Sequence, residues 1–340
     1  MSSTHSSSSA PSATTPFVAA LPGVAAVAPE PPRASAGVLG ALSALGGDAA
    51  VTDILVNGGT VWVDRGHGLE RAASFDLQLP AARELAVRLV GLGGRHVDEA
   101  TPMADARLPG GLRVHVVLAP IADPAPLISV RLAAPRVLTL GDLERSGAFD
   151  ARVLHRLEAL VGARVNVLVS GAAGTGKTTL LGALLGIADA SERIVVIEDV
   201  AEVRSTHPHL VCLEARQANL EGAGAIPLSR LVREALRMRP DRLVLGECRG
   251  DEIRELLAAF NTGHDGGIGT VHANSLADVP ARLEALGALA GLDTVAVARQ
   301  TASAIGAVVH LERAGPVRRV AGIGRFVIVA DGRLAIEAVP

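Results

Sequence analysis

The stretch GAAGTGKTTL at residues 171–180 combines glycine, lysine and threonine at a spacing suited to binding phosphate. Gly171, Gly176, Lys177 and Thr178 match the pattern G-x-x-x-x-G-K-[ST] in full. Glycines let successive backbone N–H groups turn toward a phosphate, and the following helix adds the positive end of its dipole. The lysine reaches the β- and γ-phosphates, and the threonine hydroxyl is a ligand for Mg²⁺. The sequence predicts an ATP or GTP site with these contact residues: Gly171, Ala172, Ala173, Gly174, Thr175, Gly176, Lys177, Thr178 and Thr179.

Lys177 is the single lysine of the chain, in which lysine and arginine together number 32. An ammonium is a compact charge on a slim stem, whereas a guanidinium is a broad planar fork. A tight ring of backbone N–H groups has room for the first and not for the second. The presence of the chain's one lysine at this position therefore supports the interpretation of the segment as a phosphate-binding loop.

Carboxylates follow two of the predicted strands, at the edge where open α/β sheets bind ligands. Glu247 comes at the end of LVLGE, where it would polarise a water for attack or hold Mg²⁺ through water. Glu198, Asp199 and Glu202 follow RIVVI, and we interpret them as a Mg²⁺ shell or as residues that orient water. An ordinary turn cluster is the alternative for these three. Thr178, Glu247 and Asp199 are the predicted metal ligands.

Two histidines, His264 and His272, flank a glycine-rich turn and a short strand in NTGHDGGIGTVHANS. Both are candidates to hydrogen-bond the γ-phosphate from the crevice. A lone histidine is more often structural, and metal ligation lacks the usual supporting ligands here.

Helical and strand patterns alternate from residue 144 to residue 340, which predicts βαβ units and a largely parallel sheet. The apolar run VNVLVS precedes the phosphate loop as a strand, and TTLLGALL follows it as a helix. The C-terminal runs AVVHLER, RRVAGIGRFVIVA and RLAIEAV have strand character and should extend the sheet at one edge.

The preceding residues divide into a tail, a small domain and a linker. Residues 1–36 are rich in Ser, Ala, Pro and Thr and are predicted to be disordered. Residues 37–132 show a hairpin signal at Asn57-Gly58-Gly59, a helical pattern at 79–93 and further strands, which indicates an α+β domain. Pro135 and Gly141 interrupt residues 133–143, which we interpret as a linker.

Composition narrows the function classes. A net charge of −3, five Phe, one Trp and no Tyr give neither the basic field nor the stacking aromatics that a nucleic-acid translocase would use. Two cysteines form neither a disulfide framework nor a four-cysteine zinc site, and they favour reduced cytosol. The apolar segment at 16–29 is interrupted by Pro22 and Gly23, so no membrane span is expected.

Several segments together resemble the type II/IV secretion-superfamily ATPases, and within them the CpaF-like, tight-adherence (Tad) branch. They lie in the family order from about residue 51 to residue 303: DILVNG, VDEATPMADARLPGGLRVH, ISVRL, IEDVAEV, LEARQANLEGAGAI and LRMRPDRLVLGECRGDEIRELLAAFNTGHDGGIGTVHANS. Cys248, Gly267 and Ala172-Ala173 depart from residues common in the family, and none removes a group that ATP chemistry needs.

The resemblance implies a RecA-like P-loop NTPase domain, a smaller N-terminal domain, and a homo-hexamer that binds ATP and Mg²⁺ between the domains. Glu247 falls on the catalytic glutamate, Glu198 and Glu202 on the acidic box, and His264 and His272 on the histidine box. Four arginines fall where the family places phosphate-approaching residues or arginine fingers: Arg113, Arg131, Arg216 and Arg233. With so many arginines in the chain, each of the four has an ordinary surface role as its alternative.

These observations predict a cytoplasmic ATPase, peripheral to the inner membrane, that powers a pilus-like (Tad) assembly or secretion platform through membrane partners. A conjugation-type type IV secretion ATPase is the alternative, because RMRPDR and GE-x-RG suit both. Less favoured are a nucleic-acid translocase, since no stable nucleic-acid binding is expected, and a scaffold that binds ATP without turnover. A type II secretion motor with a four-cysteine zinc element does not fit two cysteines.

Overall fold

The computed structural model describes residues 38–66, 68–108, 110–122, 124–132, 136–216, 224–315 and 317–339. The predicted disordered tail, residues 1–36, lies outside this part of the chain. In the described residues the strands form two sheets, one of six strands and one of eight.

The six-stranded sheet is antiparallel, with spatial order β3-β2-β1-β6-β5-β4. Its strands are β1 (Asp53–Asn57), β2 (Thr60–Asp64), β3 (Leu69–Arg71), β4 (Met103–Leu108), β5 (Leu112–Val117) and β6 (Leu127–Arg131), and its helices are α1 (Ser43–Gly47) and α2 (Leu79–Leu92). Alternate residues such as Ile54 and Val56 are buried in one core with Leu85 and Leu89 of α2. The opposite face of this sheet carries charged residues, among them Asp53, Arg113 and Arg131.

The eight-stranded sheet has the order β14-β13-β12-β7-β11-β10-β8-β9. Its strands are β7 (Val167–Gly171), β8 (Ile194–Glu198), β9 (Leu210–Glu214), β10 (Arg242–Cys248), β11 (Ile268–His272), β12 (Ala307–Ala314), β13 (Val317–Ile328) and β14 (Leu334–Ala338). Six neighbouring strands are parallel, in the spatial order β9, β8, β10, β11, β7 and β12. The last two strands, β13 and β14, continue the sheet beyond β12 and are antiparallel to their neighbours. The predicted α/β architecture, with its C-terminal strands at one edge, is confirmed.

Helices cover both faces of this sheet. They are α3 (Leu140–Arg145), α4 (Ala151–Gly162), α5 (Lys177–Leu185), α6 (Leu228–Ala235), α7 (Glu252–Phe260), α8 (Val279–Leu289) and α9 (Thr294–Ala304). Val167 and Val169 of β7 pack into the core on the α5 side, while Leu168 packs into the core of α6 to α9. Because both faces are covered, the parallel strands are continuous apolar runs, and their carboxyl ends form the edge where the polar residues gather.

The predicted linker, residues 133–143, is described in part, because residues 133–135 lie outside the described ranges. Residues 140–143 belong to α3, which begins with a capping box between Thr139 and Asp142. Leu140 is buried in the same core as α5, which anchors this helix to the second domain. Gly141 is tolerated because it lies in the first turn of α3. Among the described residues, no helix has both the length and the apolar character that crossing a membrane requires.

Candidate functional site

The phosphate loop joins the buried strand β7 to helix α5. Gly174 and Gly176 have φ of +72° and +96°, in the left-handed region that favours glycine. A Cβ at Gly171 would lie 2.5 Å from the carbonyl oxygen of Leu311, so the neighbouring strand leaves no room for a side chain. The loop thus requires glycine at the positions where the motif has it.

Lys177 is the first residue of α5, and its side chain turns back over the loop. Its Nζ donates to the carbonyl oxygens of Gly171 and Ala172 at 2.9 and 3.0 Å. Burial lowers the pKa of Lys177, while the nearby carboxylate of Glu247 acts in the opposite direction. The ammonium is therefore held inside the loop by backbone carbonyls, within the field of carboxylates from other strands.

Glu198 ends β8 as a buried carboxyl, 4% exposed. Its Oε1 accepts hydrogen bonds from the backbone N–H groups of Glu202 and Val203 at 2.8 and 3.0 Å. Its Oε2 is buried and has no hydrogen-bond partner within the described ranges. Burial raises the pKa of Glu198 above its usual value, against the two backbone hydrogen bonds. Glu198 therefore fixes the turn that carries Glu202.

The end of β10, at Gly246 and Glu247, lies beside Glu198. A Cβ on Gly246 would lie 2.5 Å from Cγ of Glu198, so the glycine makes room for that buried carboxyl. The Oε2 atom of Glu247 pairs with Nη2 of Arg249 at 2.7 Å. The hydrogen bond to Glu247 is the main cause that raises the pKa of Arg249. Glu247 is thus oriented by a neighbouring cation at the sheet edge.

The N-terminal domain, which contains the six-stranded sheet, forms one side of this site. Arg113 of β5 reaches across the domain boundary and its Nη2 lies 2.5 Å from Oε1 of Glu202. The Thr178 hydroxyl lies 3.4 Å from the other oxygen, Oε2, of Glu202. The resulting cleft encloses about 430 Å³ of empty space, part of it open to solvent, and is lined by Arg113, Thr178, Glu198, Asp199, Val200, Glu202, Gly246, Glu247 and Arg249.

Strand register explains which arginines reach the second domain. Arg107, Arg113 and Arg131 are direct neighbours across β4, β5 and β6, so they form one row on the polar face of the sheet. Arg107 binds Glu214 at 2.6 Å and the carbonyl oxygen of Ala201 at 2.5 Å. Arg131 instead pairs with Asp53, on its other side in the row. Arg131 thus pairs within its own sheet, and the role in approaching the phosphates that the resemblance implies for it stays a prediction.

The other predicted residues divide between the site and distant positions. His272 ends β11 beside Gly171 in the parallel register, next to the loop. His264 precedes β11 at the opposite edge of the sheet, where its Nδ1 lies 3.3 Å from the carbonyl oxygen of Ala259. Within one chain the length of β11 separates His264 from the phosphate loop, so its contact with the γ-phosphate stays a prediction.

Arg216 and Arg233 also lie away from the chain's own phosphate loop. Arg216 is exposed just beyond the edge strand β9, in a backbone bridge with Ile226. Arg233 lies on α6 and pairs with Glu255 of α7 at 2.7 Å. Neither lines the cleft described above, so a role in catalysis would require a neighbouring subunit.

Three arginines near the site were missed by the sequence reasoning. Arg249 follows Glu247 and could have been found from the GECRG string itself. Arg107 is recognisable only from its register with Arg113. Arg318 of β13 donates from Nε to the carbonyl oxygen of Gly174 at 2.9 Å. The two residues are 144 positions apart in the sequence, so no local pattern predicts this contact.

Comparison with known proteins places the chain among relatives of similar length. The family model described as type II/IV secretion system protein matches residues 47–318. A Mycobacterium tuberculosis protein named for conjugal transfer is 47% identical over 292 residues, which cover 83% of this chain and 82% of that protein. Conjugal transfer protein TrbB of Rhizobium radiobacter is 32% identical over 280 residues, covering 80% of this chain and 83% of that protein.

The fold also has a solved counterpart. The crystal structure of the pilus retraction motor PilT with bound ADP superposes with a TM-score of 0.57 and 20% sequence identity, covering 86% of this chain and 79% of PilT. At that identity the likeness concerns the fold alone. Because the family model spans most of the chain and two relatives exceed 30% identity, the chain belongs to the type II/IV secretion system protein family.

Proposed function

We propose that the protein hydrolyses ATP in the cleft between its two domains and uses the energy to drive a membrane-embedded assembly or secretion platform. The observation that carries this proposal is the convergence of Thr178, Glu247, Glu202 and Arg113 on one cleft, with Lys177 beside it in the field of Glu247 and Glu202. They come from four different segments of the chain and from both domains. A phosphate loop alone would support only nucleotide binding.

The residues present suit ATP with Mg²⁺. Among the described residues, the ammonium of Lys177 is bound by the carbonyl oxygens of Gly171 and Ala172, which a phosphate group would replace as acceptors. In the described part of the chain, no three His, Cys, Asp or Glu side chains converge to hold a metal ion. In ATPases Mg²⁺ is usually held by one or two protein oxygens, by phosphates and by water. Thr178, Asp199 and Glu247 would supply the protein oxygens, and the ion would neutralise charge on the phosphates.

Glu247 is the proposed general base. It lies at the sheet edge next to the phosphate loop, and its pairing with Arg249 holds the carboxylate in one orientation. Glu198 holds the turn of Glu202 through two backbone hydrogen bonds, and His272 would hydrogen-bond the γ-phosphate from β11. Arg113 pairs with Glu202 across the boundary, so phosphates that attract Arg113 would change the contact between the domains. This exchange is the proposed route from hydrolysis to motion.

Steady-state ATPase assays on Glu247→Gln test the catalytic assignment. Turnover should fall by about 10²–10⁴-fold, because the amide cannot accept the proton of the attacking water. ATP binding, measured by calorimetry, should remain. Glu158→Gln is the matched control, since Glu158 lies exposed on α4 and pairs only with His155 among the residues described. Equal turnover in wild type and Glu247→Gln would contradict the assignment.

We further propose a cytoplasmic homo-hexamer that is peripheral to the inner membrane through platform proteins of the CpaF-like, Tad type. In a hexamer, residues that lie far from the phosphate loop of their own chain could contact the nucleotide bound to a neighbouring subunit. These residues are Arg216, Arg233, Arg131 and His264. Light scattering of the purified chain with and without ATP measures the assembly. Mixing Lys177→Ala subunits with Arg216→Ala or Arg233→Ala subunits should restore activity if the arginine acts across the boundary. A monomer with full ATPase activity would contradict this arrangement.

A conjugation-type type IV secretion ATPase is the second candidate, favoured by the names of the two relatives described above. The two candidates differ in the membrane proteins with which the chain co-purifies, which is the deciding measurement. Neither predicts nucleic-acid binding by this chain. Strong stimulation of ATP turnover by single-stranded DNA would instead favour a translocase, and no effect is expected.

A further inference from the structure

The hairpin formed by β12 and β13 extends beyond the edge of the sheet, next to the phosphate loop. In the parallel register, Leu311 of β12 is level with Gly171, the last residue of β7. The strand continues through Arg313, and the returning strand begins at Val317. The outer end of the hairpin thus lies past the point where the phosphate loop starts.

Two arginines lie at this end of the hairpin, and one of them, Arg318, contacts the phosphate loop. Arg313 and Arg318 are direct partners in the hairpin, so their side chains share one face. The next pair inward on that face, Leu311 and Val320, packs into the core on the α5 side. Arg318 contacts the loop itself, through the hydrogen bond from Nε to Gly174. Its Cδ would lie 3.6 Å from a Cβ on Gly176, another loop glycine.

Among the described residues, no carboxylate balances the charges of this pair. Like charges directly opposite each other in a hairpin are destabilising, yet within the described ranges neither Arg313 nor Arg318 has a carboxylate partner. Arg313 donates from Nε to the carbonyl oxygen of Gly315, and Arg318 donates from Nε to Gly174. By contrast Arg319, the next residue, forms an ion pair with Glu312 at 2.6 Å on the other face.

We propose that Arg313 and Arg318 form a second phosphate-binding element, which contacts the phosphate chain of the bound nucleotide from the hairpin side. This inference rests on the proposed nucleotide site. Arg318 is anchored to the loop by one of its five N–H groups, which leaves its terminal nitrogens as donors for phosphate oxygens. Arg313 adds positive charge at the same place. A polyphosphate would supply the negative charge that this pair of arginines lacks.

The test measures binding of ATP, ADP and inorganic tripolyphosphate to the full chain by calorimetry. Arg318→Gln should weaken all three about tenfold, the effect of losing a charge-assisted hydrogen bond in a partly exposed site. Arg313→Gln should weaken them about threefold, as expected for an exposed charge that makes no contact with the loop. Arg319→Gln is the matched control on the opposite face and should leave all three affinities unchanged.

Tripolyphosphate separates phosphate contact from a bracing role. If Arg318→Gln binds tripolyphosphate as tightly as Arg319→Gln does, the arginine only supports the loop and the proposal is overturned. If Arg318→Gln lowers the melting temperature more than the control does, Arg318→Lys decides, because it keeps the charge. Restored tripolyphosphate affinity in Arg318→Lys supports the phosphate contact, and persistent loss refutes it.

The outcome is distinguishable from failure of the proposed hydrolysis. If the wild-type protein binds ATP but does not hydrolyse it, the proposed ATPase activity is refuted. The affinities for ATP, ADP and tripolyphosphate would still test whether Arg313 and Arg318 bind phosphate. Wild-type protein that binds none of the three ligands would overturn both.

Discussion

Replacing Gly246 with alanine tests whether the buried Glu198 carboxyl organises the site. The backbone at Gly246 lies outside the left-handed region, so alanine adds a methyl group without adding backbone strain. That methyl would lie 2.5 Å from Cγ and 3.0 Å from Oε1 of Glu198. Ordinary carbon contacts begin near 3.5 Å, so Glu198 must move by about 1 Å. Its hydrogen bonds to Glu202 and Val203, at 2.8 and 3.0 Å, would then be broken or bent.

The expected cost is about 2–5 kcal/mol, from overpacking and from two weakened hydrogen bonds to a carboxyl group. Hydrogen exchange should show loss of protection at the amides of Glu202 and Val203. The ATPase kcat/KM should fall by up to about 100-fold, because a shift of about 1 Å misplaces Glu202 and Glu247.

Gly162→Ala is the control for this prediction. Gly162 is the last residue of α4, and an added Cβ would have nothing within 4 Å. That variant should keep its activity and gain up to about 1 kcal/mol of stability from helix propensity. If Gly246→Ala retains amide protection and activity at the level of Gly162→Ala, Glu198 does not position the turn and the reasoning fails.

Three further predictions concern ionisable side chains. Lys177→Arg keeps the charge but should abolish ATP hydrolysis, because a guanidinium does not fit where Nζ binds two loop carbonyls; normal turnover would contradict the steric argument. Because burial raises the pKa of Glu198 above 4.5, the neutral form is favoured on folding and stability falls as pH rises past that value. The melting temperature of Glu198→Gln minus that of wild type should therefore grow between about pH 4 and pH 7, and a constant difference would refute this. Burial also raises the pKa of the Cys248 thiol well above its usual value, so mass spectrometry should find iodoacetamide on the exposed Cys212 long before Cys248.

The alternating architecture could be read from the chain because each parallel strand is buried on both faces and each helix on one. VNVLVS and RIVVI are apolar throughout, and LVREALRM has helical spacing, so local pattern and tertiary environment agree. The same reasoning missed β4 and β9. Met103–Leu108 mixes exposed and buried residues next to Pro102, and β9 is an edge strand with an irregular burial pattern, so neither has a clean period.

The parts of the site that lie in one short segment of the sequence could be predicted. The contacts that depend on strand pairing and on the packing of the two domains could not. The phosphate loop, the acidic turn and Glu247 each belong to one short segment that ends a strand. Arg113 and Arg131 looked equivalent in the sequence, but only Arg113 pairs with Glu202, because Asp53 lies beside Arg131 in the sheet. His264 and His272 are eight positions apart, and β11 carries them to opposite edges.

The sequence by itself determined the chemistry of the loop. Glycines at the constrained positions and one slim cation are properties of residue type and spacing, and between a strand and a helix they predict a phosphate site. Only the tertiary structure decided which charges surround that loop. Strand register aligned Arg107 with Arg113, the docking of two domains brought Arg113 onto Glu202, and the β12–β13 hairpin placed Arg318 against Gly174. Those contacts join residues that are far apart along the chain, and their geometry depends on packing that no local pattern encodes.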